Sequence, residues 1–131
     1  IVTASSDQIA RIWDAATGEE LRELRGHSGW VLSAAYSPDG KTIVTASGDQ
    51  TARIWDAATG EELRELTGHS DAVYSAAYSP DGKRIVTASG DQTARIWTTS
   101  FDELLAKAKR LVQRDPPLLT PEERVRYGLE E

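Results

Sequence analysis

The residue types in this chain that could do chemistry are hydroxyls, a carboxylate and an imidazole, and they occur at fixed spacing. The eleven residues TASGDQTARIW stand at 45–55 and stand again, unchanged, at 87–97. Each copy is preceded at the same distance by a glycine-histidine pair that ends at His27 or His69. A hydroxyl, an imidazole and an acid are the parts of a hydrolase triad, in which a base activates a nucleophile. Nucleophilic catalysis is therefore the first hypothesis to weigh.

Repetition argues against that hypothesis. A triad needs an exposed nucleophile, an oxyanion hole and a substrate cleft, and an enzyme rarely needs the same site in every repeat. A metal site is also disfavoured, because one histidine per repeat supplies too few ligands and the chain has no cysteine. The sequence predicts no catalytic residue, no cofactor and no metal site.

Composition and charge indicate a soluble globular protein. Hydrophobic residues make up 39% of the chain and charged residues 27%, and no apolar run approaches the roughly 20 residues of a membrane helix. The net charge of −6 offers no positive field to nucleic acid. The absence of cysteine fits a reducing compartment. We expect a cytoplasmic protein with neither nucleic acid nor membrane among its partners.

The sequence as far as Trp97 repeats with a period of 42 residues. Ile-Val-Thr at 1–3 returns at 43–45 and at 85–87, with no insertion or deletion between the copies. A period in this range indicates stacked supersecondary units, of which propeller blades are one kind. Any functional interpretation must therefore fit inside a repeat.

Each unit carries signals for four short strands. In the one complete unit these are WVLSAAYS at 30–37, TIVTAS at 42–47, TARIWD at 51–56 and EELREL at 61–66, separated by turn residues. The apolar first strand suits a buried position, whereas the alternation of charge and leucine in the last suits an exposed edge. The predicted fold class is all-β, built from blades of four-stranded antiparallel sheets.

The order Gly-His, SPDGK and SGDQTARIWD resembles the WD-repeat family of β-propellers over residues 1–98. The resemblance implies one partial blade, one complete blade and one blade that lacks its outer strand. The third copy ends Trp97-Thr98 where the others have Trp-Asp, as a terminal blade would. In this family the missing outer strand commonly comes from the other end of the propeller, which closes the ring.

The resemblance also gives the histidine, hydroxyl, aspartate and tryptophan a structural role. In the family they form a buried hydrogen-bonded tetrad, which suits the rule that buried polar groups are paired. The partial first unit supplies Thr3, Asp7 and Trp13 but no histidine. The two full sets are His27, Thr45, Asp49 and Trp55 in one blade, and His69, Thr87, Asp91 and Trp97 in the next.

Differences between the copies predict where specificity lies. Residues 1–42 and 43–84 differ at seven positions, and four of these lie at the start of the inner strand or directly before the tetrad aspartate. In the resembled family those positions line the top face around the central channel, where partners commonly bind, and an exposed aromatic there is a natural anchor. The candidate partner-binding top face consists of Trp30, Leu32, Gly48, Ala72, Tyr74 and Gly90. The alternative is that Trp30 packs between blades.

Residues 99–131 depart from the period and carry helix signals. Ser100 and Glu103 form a capping box ahead of apolar residues at helical spacing, and a second capping box begins at Thr120. We predict a short α-helical tail. It resembles the C-termini of large bacterial WD-repeat proteins that carry an upstream NTPase, protease-like or signalling domain.

The expected function is a non-catalytic propeller scaffold that recognises a protein or peptide. The chain has no methionine and begins inside a repeat, so we expect a fragment whose remaining blades belong to a longer chain, as the C-terminal sensor part of a bacterial signalling or defence protein. Two alternatives stay open: a module that forms rings from several copies of itself, and an enzyme that uses the histidine, aspartate and threonine residues.

Overall fold

A computed structural model describes residues 1–99, which form ten β-strands in three antiparallel sheets. The first blade contains β1 (Val2–Thr3), β2 (Ala10–Trp13) and β3 (Glu20–Leu24). The middle blade contains β4 (Val31–Tyr36), β5 (Thr42–Ser47), β6 (Ala52–Asp56) and β7 (Glu62–Leu66), and the last blade contains β8 (Val73–Tyr78), β9 (Arg84–Ser89) and β10 (Ala94–Thr98). The predicted all-β class is confirmed, and the predicted helical tail lies, from residue 100 onward, outside the described residues.

Each sheet is a meander in which consecutive strands pair. The middle blade has all four strands in the order β4-β5-β6-β7. Within the described residues the first blade has no counterpart of the inner strand β4, and the last blade has none of the outer strand β7. Among these residues no helix is long and apolar enough to cross a membrane.

In the first and middle blades the outer strand pairs with its neighbour through a β-bulge. In the middle blade Arg53 pairs with Glu65 and Ile54 with Arg64, but Trp55 pairs with Glu62, so Leu63 is an extra residue in the ladder. The first blade repeats this register shift between Ile12 and Trp13. An extra residue in one strand re-aims the side chains around it, and here it turns two glutamates toward one arginine.

The apolar core lies between the blades. One cluster joins Ala10, Ile12 and Leu24 of the first blade to a set in the middle blade that includes Ile43 and Trp55. A second cluster joins the opposite face of the middle blade to the last blade, and its members are Val44, Ala46, Ala52, Ile54, Leu66, Val73, Ala76 and Ile85. Each blade therefore buries apolar side chains on the neighbour that it faces.

The two outermost faces of the stack repeat the internal faces but stay exposed. Ile1 is 63% exposed, although its counterparts Ile43 and Ile85 are fully buried. At the other end Ile96 is 70% exposed, while its counterpart Ile54 is 8% exposed. An isoleucine at an equivalent position is thus buried where a neighbouring described blade covers it and exposed where none does.

Candidate functional site

The middle blade brings His27, Thr45, Asp49 and Trp55 into one hydrogen-bonded chain. The imidazole lies between two partners, with Nδ1 2.8 Å from Asp49 Oδ2 and Nε2 2.6 Å from Thr45 Oγ1. Trp55 Nε1 donates to the same threonine oxygen at 2.9 Å. The histidine comes from the segment before β4, the threonine from β5, the aspartate from the following turn and the tryptophan from β6. The network therefore connects the segment before β4 with β5, β6 and the turn between those two strands.

Burial determines which atoms donate and which accept in this hydrogen-bonded network. The pKa of His27 is lowered, because burial disfavours the imidazolium more than Asp49 favours it. In the neutral ring Nδ1–H donates to Asp49, which leaves Nε2 to accept from the Thr45 hydroxyl. The indole N–H then donates to the oxygen of that hydroxyl. Every polar atom of the imidazole and the threonine hydroxyl is thereby paired.

Asp49 holds the turn before β6 in shape. Its carboxylate accepts from the Ser28 N–H at 3.1 Å, from the Thr51 N–H at 2.9 Å and from the Thr51 hydroxyl at 2.6 Å. Between them Gln50 adopts φ of 75°, a left-handed conformation that is uncommon for a residue other than glycine. Burial alone raises the pKa of Asp49, but the hydrogen bonds from Thr51, His27 and Ser28 outweigh it and bring the pKa to about 2.

The last blade repeats this network with His69, Thr87, Asp91 and Trp97. The imidazole lies 2.8 Å from Asp91 Oδ2 and 2.7 Å from Thr87 Oγ1, and Trp97 Nε1 donates to that oxygen at 2.9 Å. Hydrogen bonding from Thr93, followed by that from His69, keeps the pKa of Asp91 well below its usual range despite its burial. The two sets predicted from the resemblance are thus each brought together.

The first blade has a different arrangement around its aspartate. Trp13 Nε1 donates to Thr3 Oγ1 at 2.8 Å, whereas Asp7 forms an ion pair with Arg11 at 2.8 Å. The Arg11 guanidinium, with a smaller contribution from the Ser5 hydroxyl, lowers the pKa of Asp7 to about 2. The side chain of Asp7 is 45% exposed, against 4% for Asp49. The contrast provides a natural control for the buried network.

The middle network has the connectivity of a triad but gives no access to a substrate. Asp49, His27 and Thr45 follow one another as acid, base and hydroxyl, yet Thr45 is fully buried and the imidazole is also fully buried. A nucleophile needs an exposed oxygen beside an oxyanion hole. Within residues 1–99 no group of three or more His, Asp or Glu side chains is placed to hold a metal ion.

The pKa shifts predict that acid destabilises the blades. The folded pKa of His27 is lowered, so the unfolded chain takes up a proton first and stability falls as the pH drops below about 6.5. The folded pKa of Asp49, about 2, is also below its usual value, so its contribution is present above about pH 4 and is lost as the pH falls toward 2. Urea unfolding between pH 8 and pH 3 is expected to give a falling free energy of unfolding in both windows. A constant or rising value would contradict these shifts.

The residues predicted to form the top face lie in two groups, one where β4 begins and one where β8 begins. The Gly48 N–H donates to the Trp30 carbonyl at 2.9 Å, and the Gly90 N–H donates to the Ala72 carbonyl at 2.9 Å. Trp30 is 63% exposed and Tyr74 is 59% exposed. Leu32, at 37%, is also exposed, and Gly48 is exposed, while Ala72 and Gly90 are partly buried. The alternative in which Trp30 packs between blades does not fit this exposure.

One residue of this surface was missing from the sequence-based set. A Cβ on Gly90 would lie 3.1 Å from Asp71 Oδ2 and 3.1 Å from Tyr74 Cε2, so both side chains fold over the glycine. The differences between copies single out Asp71 as well, but only the backbone places it beside Tyr74. The start of β8 therefore presents a carboxylate next to an aromatic ring.

Two arginines were also missing from the sequence-based set. Arg53 lies 2.9 Å from Glu62 and 3.6 Å from Glu65, and Arg11 lies 2.8 Å from Glu20 and 3.8 Å from Glu23. The bulge described above brings both glutamates of each outer strand to the same side. These ion pairs link β2 to β3 in the first blade and β6 to β7 in the middle blade.

Known proteins share this repeat. A family model described as WD domain, G-beta repeat matches residues 18–56 and 60–98, together more than half of the chain. Ribosome assembly protein 4 of Chaetomium thermophilum is 51% identical over 41 residues, which are 31% of this chain and 8% of that protein. Nuclear distribution protein PAC1 of Mycosarcoma maydis is 44% identical over 43 residues, which are 33% of this chain and 10% of that protein.

A mouse protein shows the same kind of local similarity. Coronin-7 of Mus musculus is 44% identical over 43 residues, 33% of this chain and 5% of that protein. The chain thus matches a tenth or less of the length of each of these relatives. The 42-residue repeat, the strand order of the blades and the match over both repeat units lead to one conclusion: the chain belongs to the WD domain, G-beta repeat family.

Proposed function

We propose that these blades are a non-catalytic scaffold that recognises a protein or peptide on the top face. The observation that carries the proposal is the exposure of two large aromatic side chains, Trp30 at 63% and Tyr74 at 59%, at positions where otherwise repeated blades differ. Exposed tryptophan and tyrosine are the side chains most often found as binding anchors. Trp55, at 1% exposure, shows that the fold buries a tryptophan where packing requires one.

The relatives support a role in recognition. Proteins named for ribosome assembly and for nuclear distribution carry the same repeat, and neither name denotes a reaction. The buried threonine of the tetrad supports the same conclusion, because it cannot reach a substrate. Turnover by the tetrad residues stays a disfavoured alternative. To support catalysis, the Asp49→Asn substitution would have to abolish a catalytic activity without changing the free energy of unfolding.

Substitution of the two aromatics tests the top face. Peptides selected on the wild-type chain from a displayed random library serve as the probe, and their affinity is then measured by calorimetry. Trp30→Ala and Tyr74→Ala are each expected to weaken binding at least about tenfold, because an anchor residue contributes about 2 kcal/mol or more. Leu63→Ala removes a side chain that is 54% exposed on the outer strand, and it is expected to leave affinity unchanged.

Two results would overturn the top-face assignment. One is equal affinity for the wild type and both aromatic variants. The other is unfolding of both variants by circular dichroism, since that would give Trp30 and Tyr74 a packing role.

We also propose that further blades complete a ring, supplied by the rest of a longer chain. The exposure of Ile1 and Ile96, whose counterparts are buried between blades, supports additional blades at both ends. Other copies of this chain are the alternative source, and a monomeric mass at micromolar concentration would exclude it.

The proposed wider context is a bacterial signalling or defence protein of which these blades are the C-terminal sensor part. The sequence of residues 99–131 supports this context. The relatives described above do not support it, because they are from fungi and mouse. The gene sequence upstream of the Ile1 codon tests it, and an upstream region without an NTPase, protease-like or signalling domain would contradict it.

A further inference from the structure

The segment before β8 carries a carboxylate that the fold leaves largely unused. Every other aspartate in residues 1–99 has at least two hydrogen-bond or ion-pair partners. Asp71 is exposed and accepts one hydrogen bond, from the Ala72 N–H to Oδ1 at 2.7 Å. Its Oδ2 has no hydrogen bond or ion pair with any residue of that part of the chain. This oxygen is therefore available to a ligand.

The backbone around Asp71 is held in place by the end of β9 and the turn after it. Ser89 Oγ donates to the Asp71 carbonyl at 3.1 Å, and the Gly90 N–H donates to the Ala72 carbonyl at 2.9 Å. Two successive carbonyls of the segment before β8 are thus anchored. A site that is ordered before its ligand arrives loses less entropy on binding.

An exposed aromatic ring lies beside this carboxylate. Asp71 Oδ2 and Tyr74 Cε2 are each 3.1 Å from the point where a Cβ on Gly90 would lie, so at most twice that distance separates the two atoms. Tyr74 is 59% exposed. An ammonium or guanidinium group is attracted to a carboxylate and, within about 6 Å of the ring centroid, to the face of an aromatic ring. One cationic group can therefore contact both side chains.

The middle blade has no equivalent of this pair. Gly29 and Leu32 stand at the corresponding positions. A Cβ on Gly29 would lie 2.7 Å from the Asp49 N, closer than Cβ atoms come in proteins, so this backbone leaves no room for a side chain there. A Cβ on Gly48 would meet the backbone of Trp30, at 3.8 Å, and no side chain. The carboxylate and ring therefore distinguish the start of β8 from the start of β4.

Charge favours a positively charged organic group as the occupant. The net charge of −6 attracts cationic partners over a longer range than any single contact. A metal ion such as Ca²⁺ takes six or more oxygen ligands, and Asp71 belongs to no cluster of acidic or histidine side chains among residues 1–99. In a protein or peptide partner the matching groups are the side chains of lysine and arginine.

We propose that Asp71 and Tyr74 form a cation subsite that receives a lysine or arginine side chain of the bound peptide, an inference that rests on the top-face function proposed above. The Asp71 carboxylate pairs with the charged head group, and the ring of Tyr74 packs against it. Asp71 thereby selects the charge of the partner, whereas Trp30 contributes an apolar anchor.

Peptide selection on two forms of the chain gives the first test. Peptides selected on the wild type from a displayed random library are expected to share a lysine or arginine at one position. Selection on Asp71→Asn is expected to lose that preference, because the amide is neutral while its oxygen can still accept from the Ala72 N–H. A wild-type selection without a preferred basic residue would overturn the proposal.

Removal of the charge from a selected peptide gives the second test. Replacement of its basic residue by acetyl-lysine is expected to weaken binding to the wild type about threefold to tenfold, since exposed ion pairs and cation–π contacts are each modest. Asp71→Asn is expected to cause a similar loss with the unmodified peptide and little further loss with the acetylated one, as groups in direct contact do. Glu61→Gln removes a negative charge from an exposed position before β7 and is expected to change neither affinity.

Two substitutions of Tyr74 test the ring. Tyr74→Phe keeps the aromatic face and is expected to keep the affinity, whereas Tyr74→Leu introduces the residue type of the middle blade and is expected to lower it. Equal affinities of the two variants would contradict a contact between the cation and the ring.

The cation subsite and the top-face function fail in different ways. If Trp30→Ala and Tyr74→Ala weaken binding but the wild type binds the unmodified and acetylated peptides equally, the subsite is wrong and the top face stands. If neither aromatic variant weakens binding, the top-face function itself is wrong. The comparison of the two peptides uses the wild-type chain alone, so it decides the matter even if Asp71→Asn fails to fold.

Discussion

Replacement of Trp55 by alanine is expected to lower the free energy of unfolding by about 3–5 kcal/mol, the range for removal of a buried aromatic side chain. Trp55 is 1% exposed and belongs to the cluster that joins the middle blade to Ala10, Ile12 and Leu24 of the first. Its removal opens a cavity between two blades and takes away the indole N–H that Thr45 accepts at 2.9 Å. The loss therefore combines packing with one of the two hydrogen bonds of the buried Thr45 hydroxyl, which keeps its bond to His27.

Trp30→Ala is the matched control for Trp55→Ala. It removes the same side chain from a site where the side chain is 63% exposed, and surface substitutions usually change stability by no more than about 0.5 kcal/mol. Urea unfolding followed by far-ultraviolet circular dichroism measures both. Equal losses in the two variants would contradict the placement of Trp55 in the core and of Trp30 on the surface.

Asp49→Asn is expected to cost about 2–4 kcal/mol, although it changes only one atom. The carboxylate accepts from His27 and the Ser28 N–H on one oxygen and from the Thr51 N–H and hydroxyl on the other. The NH2 group of an asparagine would face two of these donors, so each of the two would lose its acceptor. Hydrogen bonds to charged groups contribute about 1.5–3 kcal/mol, and an unsatisfied buried donor adds to the loss.

Much of the blade could be predicted from the sequence because its signals are local. The four strands of the middle blade follow from short runs of alternating or apolar residues between turn residues, and the observed bounds differ from the predicted ones by one residue at most. Because the repeat returns every 42 residues without insertion or deletion, equivalent positions in successive units could be aligned from the sequence. Local turn chemistry and repetition were sufficient for the fold class.

The ion pairs of Arg11 and Arg53 could not be predicted in the same way. Strict alternation along EELREL would put Glu62 and Glu65 on opposite faces of the strand. They share a side only because Leu63 is an extra residue in the ladder, and a bulge depends on the pairing of two strands rather than on either sequence alone.

The top face illustrates the same limit. Comparison of the two copies singled out Trp30 and Tyr74. Whether these side chains are exposed depends on which residues pack around them, and residue type alone does not show that. Asp71 and Tyr74 lie over Gly90 because the turn after β9 meets the start of β8. The positions that differ could be read from the sequence, and their arrangement could not.

The central claim is that the repeated histidine, threonine, aspartate and tryptophan hold each blade together rather than act on a substrate. Urea unfolding of Asp49→Asn, measured beside Asp7→Asn at pH 7, tests it most directly. The two variants make the same change in equivalent turns, but Asp49 is 4% exposed and bonded to a histidine, whereas Asp7 is 45% exposed and bonded to Arg11. The account predicts a large loss of stability for Asp49→Asn and a much smaller one for Asp7→Asn. Unchanged stability in Asp49→Asn would contradict it.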